Sequence, residues 1–309
     1  MLENLKEYVF GSSGETGQKL CGYAVKPAGE VTAVLQVVHG VAEHFGRYGA
    51  LAGYLSQHGV LVCGHDQRGH GKSMESADKA GFFGDDGWEG ALGDIVNFSR
   101  IMGDEYPGVK YTVFGHSMGS FMCRELFMKG SLKADGFIFS GTGETTMLAA
   151  KGGRAVAGAV KRRLKQPCGT SAFVTKLAFG SYNKAFGKPR TSFDWISSDP
   201  AEVDAYIGDE YCGFPIPVSL FIDMLGSMNY IRKPKNYAAS AKNTPVLLIS
   251  GRGDPVGGKG KAPARVYKKM LKAGVNAKLK MFEGRHELLR EKSRREVMEE
   301  ILSFIKALG

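Results

Sequence analysis

The segment that most constrains the fold is residues 110–129, where a short apolar run meets the sequence Gly-His-Ser-Met-Gly at positions 115–119 and then a helical pattern. This succession predicts a strand, a sharp turn and a helix, with Ser117 at the turn. Gly115 and Gly119 lie two residues on either side of Ser117, as expected where the strand and helix backbones come too close for side chains. The same pattern also fits an ordinary strand-to-helix turn. The role of Ser117 therefore has to be inferred together with the other segments of the chain.

Apolar segments that are predicted to be strands alternate with helical patterns in both end regions of the chain. The predicted strands are residues 18–25, 31–38, 60–64, 111–114, 134–140, 245–250 and 277–282. Besides the helix after Ser117, the predicted helices are residues 44–57, 88–102, 261–273 and 294–308. Such alternation predicts an α/β fold with a mostly parallel, doubly wound sheet.

The alternation stops between residues 143 and 238, where no clear strand is found. A helix start is predicted at Asp199, where an acceptor side chain precedes a proline and an acidic third position. Other helical patterns in this region are Val156, Val160 and Leu164, and Phe173 with Leu177. We therefore expect a core of residues 1–142 and 239–309, with residues 143–238 inserted as a helical cap.

The cysteines and the N-terminal sequence bear on the cellular compartment. Five cysteines, an odd number, are widely spaced and lack a Cys-x-x-Cys pair, which is typical of buried thiols in a reducing compartment and not of metal ligands or disulfides. The N-terminal residues show no basic segment followed by a long apolar run, and no segment reaches about 18 consecutive apolar residues. We therefore expect a cytoplasmic protein.

The net charge of +10 comes from one segment. Between residues 151 and 190 there are ten lysines and arginines and no aspartate or glutamate. Such a segment is compatible with an anionic lipid surface, with nucleic acid or with a solvated face. Nucleic acid ranks last, because no nucleic-acid-binding module accompanies the segment, and the other two remain open. A nucleotide site is not expected either, because the loop that ends Gly71-Lys72-Ser73 has Asp66 where a P-loop needs glycine.

Ser117 needs a base to take its proton, and a carboxylate to orient that base, because a serine hydroxyl is a weak nucleophile at neutral pH. In the fold expected here, the acid and then the histidine follow the serine along the chain. His286, after the last predicted strand, is the one histidine of seven that follows Ser117. Asp254 follows the preceding strand, whereas Asp223 lies in the insertion and Glu283 is too close to His286 in sequence. Asp254 is therefore the preferred acid.

Attack of Ser117 on an acyl carbon would place negative charge on the carbonyl oxygen, which two backbone N–H groups can stabilise. One N–H is expected from Met118, the residue after the serine, at the start of its helix. The other is expected from the loop after the strand at 31–38, where Val41 follows His39 and Gly40. We therefore predict an oxyanion hole formed by the backbone of Val41 and Met118.

With these segments in order, the sequence resembles the α/β-hydrolase superfamily, and within it the monoacylglycerol lipases, lysophospholipases and serine-aminopeptidase-like hydrolases. The resemblance covers nearly the whole chain and is carried by His39-Gly40-Val41-Ala42-Glu43-His44 with Arg47-Tyr48, Asp66-Gln67-Arg68-Gly69-His70-Gly71-Lys72-Ser73, Gly115-His116-Ser117-Met118-Gly119, Gly253-Asp254-Pro255-Val256 and Gly284-Arg285-His286-Glu287. It implies Ser117, Asp254 and His286 as a catalytic triad, and the insertion as a cap over an acyl pocket. Epoxide hydrolases and dehalogenases of this fold use aspartate at the position of Ser117, so the serine argues against both.

The expected function is hydrolysis of carboxylic esters, such as monoacylglycerol or lysophospholipid, through an acyl-enzyme on Ser117. No metal or organic cofactor is required by this mechanism. Apolar side chains of the cap could receive an acyl chain, or they could pack the cap onto the core. The candidates are Phe173, Leu177, Phe179, Phe214, Leu220, Phe221, Met224 and Leu225.

Two alternatives remain. An aminopeptidase-like amide hydrolase would need a cap carboxylate to hold a substrate amine, and the acids available for this are Asp199, Glu202, Asp204, Asp209 and Glu210. A non-catalytic ligand-binding protein could also use this fold, since a fold does not fix a function. The order of Ser117, Asp254 and His286 along the chain argues against the second alternative.

Overall fold

The structure is a computed structural model that describes residues 4–14, 17–237 and 242–309. Eight strands form one sheet in the order β1-β2-β4-β3-β5-β6-β7-β8. The strands are β1 Leu5–Gly11, β2 Lys19–Val25, β3 Ala33–Val38, β4 Val60–His65, β5 Lys110–His116, β6 Gly136–Ser140, β7 Val246–Gly251 and β8 Ala277–Phe282. From β4 to β8 neighbouring strands are parallel, whereas β1 and β2 are antiparallel to their neighbours. The predicted α/β fold with a mostly parallel sheet is confirmed.

Strand β1 is the one strand that the sequence did not predict. It lies at the edge of the sheet and pairs only with β2. Among its residues only Phe10 is buried. An edge strand with so little buried surface carries neither a continuous apolar run nor a regular alternation, and so it lacks the signal on which strand prediction depends.

Helices cover both faces of the sheet. Helices α1 (Gly49–Ser56) and α10 (Arg294–Lys306) pack on one face, and α2 (Gly87–Glu105), α3 (Met118–Lys129) and α9 (Lys261–Lys272) pack on the other. The central strands are buried on both sides, which explains why β3 and β4 are almost wholly apolar. In the described part of the chain, no helix is both long enough and apolar enough to cross a membrane.

Helices replace strands between β6 and β7. These are α4 (Met147–Lys161), α5 (Ala172–Phe179), α6 (Pro200–Gly208), α7 (Val218–Ile231) and α8 (Pro234–Tyr237). Helix α6 begins where predicted, with the Asp199 carboxylate accepting a hydrogen bond from the Ala201 N–H at 3.0 Å. Helix α4 ends at Lys161, so Leu164 lies beyond it and not within it as its spacing predicted. The division into a core and a cap of residues 143–238 stays a prediction, and the end of that cap lies outside the described residues.

All five cysteines carry free thiols, as their spacing predicted, but only Cys63, Cys123 and Cys212 are buried. The prediction of burial is wrong for Cys21 and Cys168, which are partly exposed. Cys63 and Cys123 are fully buried in the apolar layer on one face of the sheet. Burial raises the pKa of both thiols, because it disfavours the charged thiolate. These two residues are therefore core side chains and not nucleophiles.

Candidate active site

Ser117 lies at the sharp turn between β5 and α3, in a backbone conformation that few residues other than glycine adopt (φ 50°, ψ −118°). The flanking glycines make this turn possible. A Cβ atom on Gly115 would lie 2.6 Å from the Gly119 carbonyl oxygen, and a Cβ atom on Gly119 would overlap the Val38 carbonyl oxygen. The spacing of the two glycines thus reflects close backbone contact, and the turn directs Ser117 away from the sheet.

The structure brings Ser117, His286 and Asp254 together from the loops after β5, β8 and β7. The Ser117 Oγ lies 2.9 Å from His286 Nε2, and His286 Nδ1 lies 3.0 Å from Asp254 Oδ1. Asp254 is fully buried and His286 is 2% exposed. Because the carboxylate can only accept, Nδ1 carries the proton and the lone pair of Nε2 faces the serine hydroxyl. This arrangement can remove a proton from Ser117.

The two other acids considered for this position lie elsewhere. Glu283 is exposed and forms an ion pair with Arg252 at 3.0 Å. Asp223 lies in a hollow on the surface, together with Arg154 and Lys161 of α4. Neither of these acids contacts His286.

Burial and charge act in opposite directions on His286. Burial alone would lower the pKa of the imidazole, but the Asp254 carboxylate raises it, and the net result is a pKa above the ordinary value. Two aromatic rings pack against this histidine, that of His116 at a centroid distance of 4.8 Å and that of Trp195 at 5.1 Å. Burial and the proximity of His286 hold the pKa of His116 well below its usual value. His286 is thus the one of the two histidines that is poised to take up a proton.

The predicted oxyanion donors are Val41, in the loop after β3, and Met118, the residue that follows Ser117. Val41 lines the same cavity as the serine, and Met118 is the buried first residue of α3. Within the described residues, neither backbone N–H donates a hydrogen bond to another protein group. Both donors therefore remain available to an oxygen atom bound next to Ser117.

The loop that carries Val41 is fixed from two sides. From the core, the Glu43 carboxylate accepts a hydrogen bond from the Gly40 N–H at 2.5 Å. From the helices between β6 and β7, the Tyr206 hydroxyl donates to the Ala42 carbonyl at 2.8 Å, and the Gly213 N–H donates to the same oxygen at 3.0 Å. Ala42 has a φ of 53°, an unfavourable value for alanine that these contacts maintain.

A buried charge network beneath this loop was not predicted from the sequence. Arg47 lies between Glu43, at 3.6 Å, and Glu287, with which it forms a closer hydrogen-bonded ion pair. Its guanidinium group also lies 4.9 Å from the centre of the Tyr206 ring. Burial and the charge of Glu287 raise the pKa of Glu43, whereas Arg47 opposes this effect. Glu43 and Arg47 belong to a motif that carried the resemblance, but a motif alone does not reveal that its charges are buried together.

Ser117 and His286 lie in the wall of a cavity of about 540 Å³. Most of the remaining wall is apolar and comes from the helices between β6 and β7. Of the eight predicted apolar residues, those that line the cavity are Leu177, Phe179, Phe221, Met224 and Leu225. Phe214 lines a neighbouring cavity of about 490 Å³, Leu220 is buried in the core and Phe173 is exposed.

None of the five acids considered for binding an amine lines the cavity of Ser117. Asp199 caps α6, Glu202 forms an ion pair with Arg290, and Asp204 forms one with Arg190. Asp209 accepts a hydrogen bond from His44, and Glu210 is exposed. The acids that do line the cavity are Glu43, Glu144 and Glu287.

One group of side chains among the described residues has the composition of a metal site, namely His44, Asp209 and Cys212. The His44 Nδ1 accepts a hydrogen bond from the Gly46 N–H at 3.2 Å, so the ring proton is on Nε2. That Nε2–H donates to the Asp209 carboxylate at 2.9 Å. Because a metal ligand needs a free lone pair on this nitrogen, the hydrogen bonding favours a contact between two loops and not a metal site.

The chain is similar in sequence and in fold to known hydrolases. A family model described as Hydrolase_4, serine aminopeptidase S33, matches residues 29–293. The chain is 28% identical over 293 residues to a monoglyceride lipase homolog of monkeypox virus, covering 91% of each chain, and 26% identical over 290 residues to a monoacylglycerol lipase of Mycolicibacterium smegmatis, covering 90% of each. A carboxyl esterase from Bacillus coagulans, solved with glycerol, matches with a TM-score of 0.91 and 27% identity over 98% of both chains. The chain therefore belongs to the Hydrolase_4 family of α/β hydrolases, described as serine aminopeptidase S33.

Proposed function

We propose that the protein is a serine hydrolase that cleaves carboxylic esters, with monoacylglycerols as the substrate class and lysophospholipids as the next candidates. The observation that carries the proposal is the hydrogen-bonded series Ser117, His286 and Asp254 in the wall of a largely apolar cavity. At the coarser level of ester hydrolysis, the lipase and esterase relatives support the same conclusion.

In the proposed reaction, His286 Nε2 takes the proton of Ser117 Oγ as this oxygen attacks the acyl carbon. Asp254 stabilises the imidazolium that forms, and the N–H groups of Val41 and Met118 stabilise the charged oxygen. The proton then passes from His286 to the leaving alcohol, and an acyl-enzyme remains. A water molecule gives a proton to His286 Nε2 as its oxygen attacks the acyl carbon. The bond between this carbon and Ser117 Oγ then breaks, His286 returns the proton to Oγ, and the carboxylic acid is released. No step requires a metal or an organic cofactor.

The wall of the cavity supports an acyl chain as the group held next to Ser117. Phe221, Met224, Leu225 and Met228 of α7 line the cavity together with Val156 of α4. An alkyl chain that leaves water for such a wall gains roughly 0.8 kcal/mol for each buried CH₂ group. A substrate with a longer chain is therefore expected to bind more tightly until the cavity is filled.

An aminopeptidase would also match the family description. None of the cap carboxylates that were expected to hold a substrate amine lines the cavity, however. Glu144, which lines the cavity, already forms ion pairs with Arg265 and Lys269. Glu43 and Glu287 are engaged with Arg47. An amine would therefore have to displace an existing ion pair, which favours esters as substrates.

The substrate class can be tested with one panel of substrates at a fixed enzyme concentration. The panel contains monoacylglycerol, lysophospholipid, p-nitrophenyl esters of increasing chain length and an amino-acid anilide. We expect kcat/KM to be highest for monoacylglycerol, to rise with chain length among the p-nitrophenyl esters and to be lowest for the anilide.

Two serine variants complete this experiment. Ser117→Ala should abolish turnover of every ester, whereas Ser131→Ala, at an exposed serine after α3, should behave like the wild type. Faster cleavage of the anilide than of any ester would replace the proposal by an aminopeptidase. Ligand binding without turnover would instead favour the non-catalytic alternative.

A further inference from the structure

A second cavity, of about 490 Å³, lies next to the first cavity, the one that holds Ser117, and the proposed reaction does not use it. Its wall comes from α5, from residues 192–195 and 213–216, and from the loop that carries Val41. Both cavities fall within the range of roughly 300–1,000 Å³ that is typical of small-molecule sites. The second cavity is therefore large enough to hold part of a substrate.

Four residues line both cavities, so the two cavities lie side by side. These residues are Val41, Phe179, Trp195 and Tyr206. The rings of Phe179 and Trp195 are nearly parallel, with an angle of 11° between their planes and a centroid distance of 6.3 Å. The cavities are thus separated by a few side chains and the loop of Val41, and not by a layer of packed helices.

Two of the shared residues lie beside the reacting groups. The Val41 N–H is one of the two predicted donors to the carbonyl oxygen of the substrate. Trp195 packs on His286 with ring centroids 5.1 Å apart, and His286 is proposed to give a proton to the leaving alcohol. When the acyl chain lies against α7 in the first cavity, the alcohol part of the substrate faces His286 and Trp195. That part of the substrate therefore borders the second cavity.

The wall of the second cavity is mostly apolar. Besides the shared aromatic rings it includes Phe193, Phe214 and Ile216. Lys176, an exposed residue, is the one charged side chain among the described residues of this wall. A glycerol without a further chain would leave such a wall facing water, whereas an alkyl chain would bury it. The composition of the wall thus fits an apolar chain on the alcohol side of the substrate.

One polar atom of this wall lacks a partner. Thr175 Oγ1 is buried and forms no hydrogen bond with any residue that the structure describes. A buried hydroxyl without a partner is costly, and a carbonyl oxygen could accept its hydrogen bond. A plain alkyl chain offers no such acceptor, but an acyl chain joined through an ester does. The wall therefore fits an ester-linked acyl chain better than a simple long-chain alcohol.

We propose that the second cavity holds a second acyl chain, so that the protein also cleaves diacylglycerols. Ser117 Oγ bonds to the acyl carbon of the chain in the first cavity, and the bond from this carbon to the glycerol oxygen breaks. His286 passes the proton taken from Ser117 to that oxygen, and a monoacylglycerol leaves. Water then releases the acyl group from Ser117. The chemical step rests on the proposed function, whereas the binding of two chains does not.

Binding of ether analogues tests the second cavity without depending on catalysis. Ser117→Ala is titrated with 1,2-dihexylglycerol and with 1-hexylglycerol, neither of which has an ester to cleave. The fluorescence of Trp195 reports binding, because Trp88, the other of the two tryptophans, is buried in the core. We expect the diether to bind at least about tenfold more tightly, since each buried CH₂ group strengthens binding roughly fourfold.

A pair of substitutions on α5 fills the second cavity. Ala172→Phe with Thr175→Phe adds two rings to its wall, and neither residue lines the first cavity. In the Ser117→Ala background, this pair should remove the tighter binding of the diether. In the active protein, it should lower kcat/KM for 1,2-dihexanoylglycerol at least about tenfold more than kcat/KM for 1-monohexanoylglycerol. The matched control is Ala159→Phe, at an exposed position of α4 outside both walls, and it should behave like the wild type.

Two single substitutions test the path and the hydrogen bond. Phe179→Ala widens the connection between the cavities and should raise kcat/KM for 1,2-dihexanoylglycerol relative to 1-monohexanoylglycerol. Thr175→Val removes the unpartnered hydroxyl and nearly keeps the volume of the side chain. It should lower kcat/KM for 1,2-dihexanoylglycerol about two- to tenfold relative to hexyl hexanoate, whose alcohol chain carries no second ester.

The proposal is overturned if 1,2-dihexylglycerol binds no more tightly than 1-hexylglycerol, or if the filling pair affects the diester and the monoester equally. It is also overturned if the wild type cleaves 1-monohexanoylglycerol but not 1,2-dihexanoylglycerol. Faster cleavage of hexyl hexanoate than of the diester, with no effect of Thr175→Val, would replace the second acyl chain by a long-chain alcohol. Tight binding of the diether without cleavage of any ester would contradict the proposed function and support the binding of two chains.

Discussion

At the scale of single residues, the proposed reaction depends on the protonation state of His286. Only the neutral imidazole can take the proton of Ser117. The pKa of His286 is raised because the Asp254 carboxylate, 3.0 Å from Nδ1, outweighs the effect of burial. Below this pKa, His286 is protonated and cannot accept the proton of Ser117.

The raised pKa of His286 predicts how kcat/KM depends on pH. The rate should rise with pH and should reach half of its maximum above about pH 6.5, the ordinary value for histidine. Asp254→Asn should move this midpoint to lower pH, because burial then acts without an opposing charge. The same substitution should lower kcat by roughly 10⁴-fold, since the imidazole tautomer is no longer fixed. A midpoint that Asp254→Asn leaves unchanged would show that His286 is not the titrating group.

Some motif residues have a structural role that their sequence does not reveal. Asp66 accepts hydrogen bonds from the Phe45 N–H, the Lys72 N–H and the Tyr23 hydroxyl, each at 2.8–2.9 Å. Arg68 forms a buried ion pair with Asp94 at 2.6 Å. This segment carries part of the resemblance to the family, and in the structure its side chains support neighbouring loops.

At the scale of secondary-structure elements, the turn between β5 and α3 sets the position of Ser117. The α3 backbone passes so close to the end of β3 that a Cβ atom on Gly119 would overlap the Val38 carbonyl oxygen. Since backbone atoms cannot move aside as a flexible side chain can, the helix would have to shift. Any shift of α3 would also move Met118 and its N–H.

Gly119→Ala should therefore be destabilising and should reduce activity. We expect a loss of about 1–3 kcal/mol in the free energy of unfolding, the usual cost of overpacking. The matched control is Gly103→Ala in α2, where an added Cβ atom meets no other atom within 4 Å. In that helix alanine should instead stabilise the protein by up to about 1 kcal/mol. Denaturant unfolding measures both changes, and an equal response of the two variants would contradict the close contact.

The elements that could be predicted are those with a strong local signal. The residues of β3 form a continuous apolar run because both faces of the strand are buried, and Asp199 precedes α6 with a clear capping pattern. The edge strand β1 gave no such signal. The position of Trp195 against His286 could not be predicted either, because it depends on how a long irregular segment folds back over the sheet.

At the scale of the whole molecule, hydrogen bonds join the segment between β6 and β7 to the loops that carry His286 and Val41. The Glu287 N–H, next to His286, donates to the Ile196 carbonyl at 2.7 Å. The Tyr206 hydroxyl donates to the Ala42 carbonyl in the loop of Val41. The same contacts therefore position the cavity and the proposed catalytic groups.

Tyr206→Phe tests this connection. The substitution removes one buried hydrogen bond and should cost about 1 kcal/mol in the free energy of unfolding. It should also lower kcat more than it raises KM, because the loop that holds the Val41 N–H is less well fixed while the acyl cavity is intact. Tyr211→Phe is the control, since within the described residues the Tyr211 hydroxyl has no hydrogen-bond partner. Equal kinetics for the two variants would contradict the proposed role of Tyr206.

Ser117 is proposed to be a nucleophile that His286 and Asp254 activate. A fluorophosphonate probe bonds covalently to an activated serine oxygen, and mass spectrometry of the digested protein locates the label. We predict one label per chain, on the peptide that contains Ser117, with labelling strongly slowed by His286→Ala and absent from the unfolded chain. Failure to label Ser117 in a protein that still hydrolyses esters would contradict this role of Ser117.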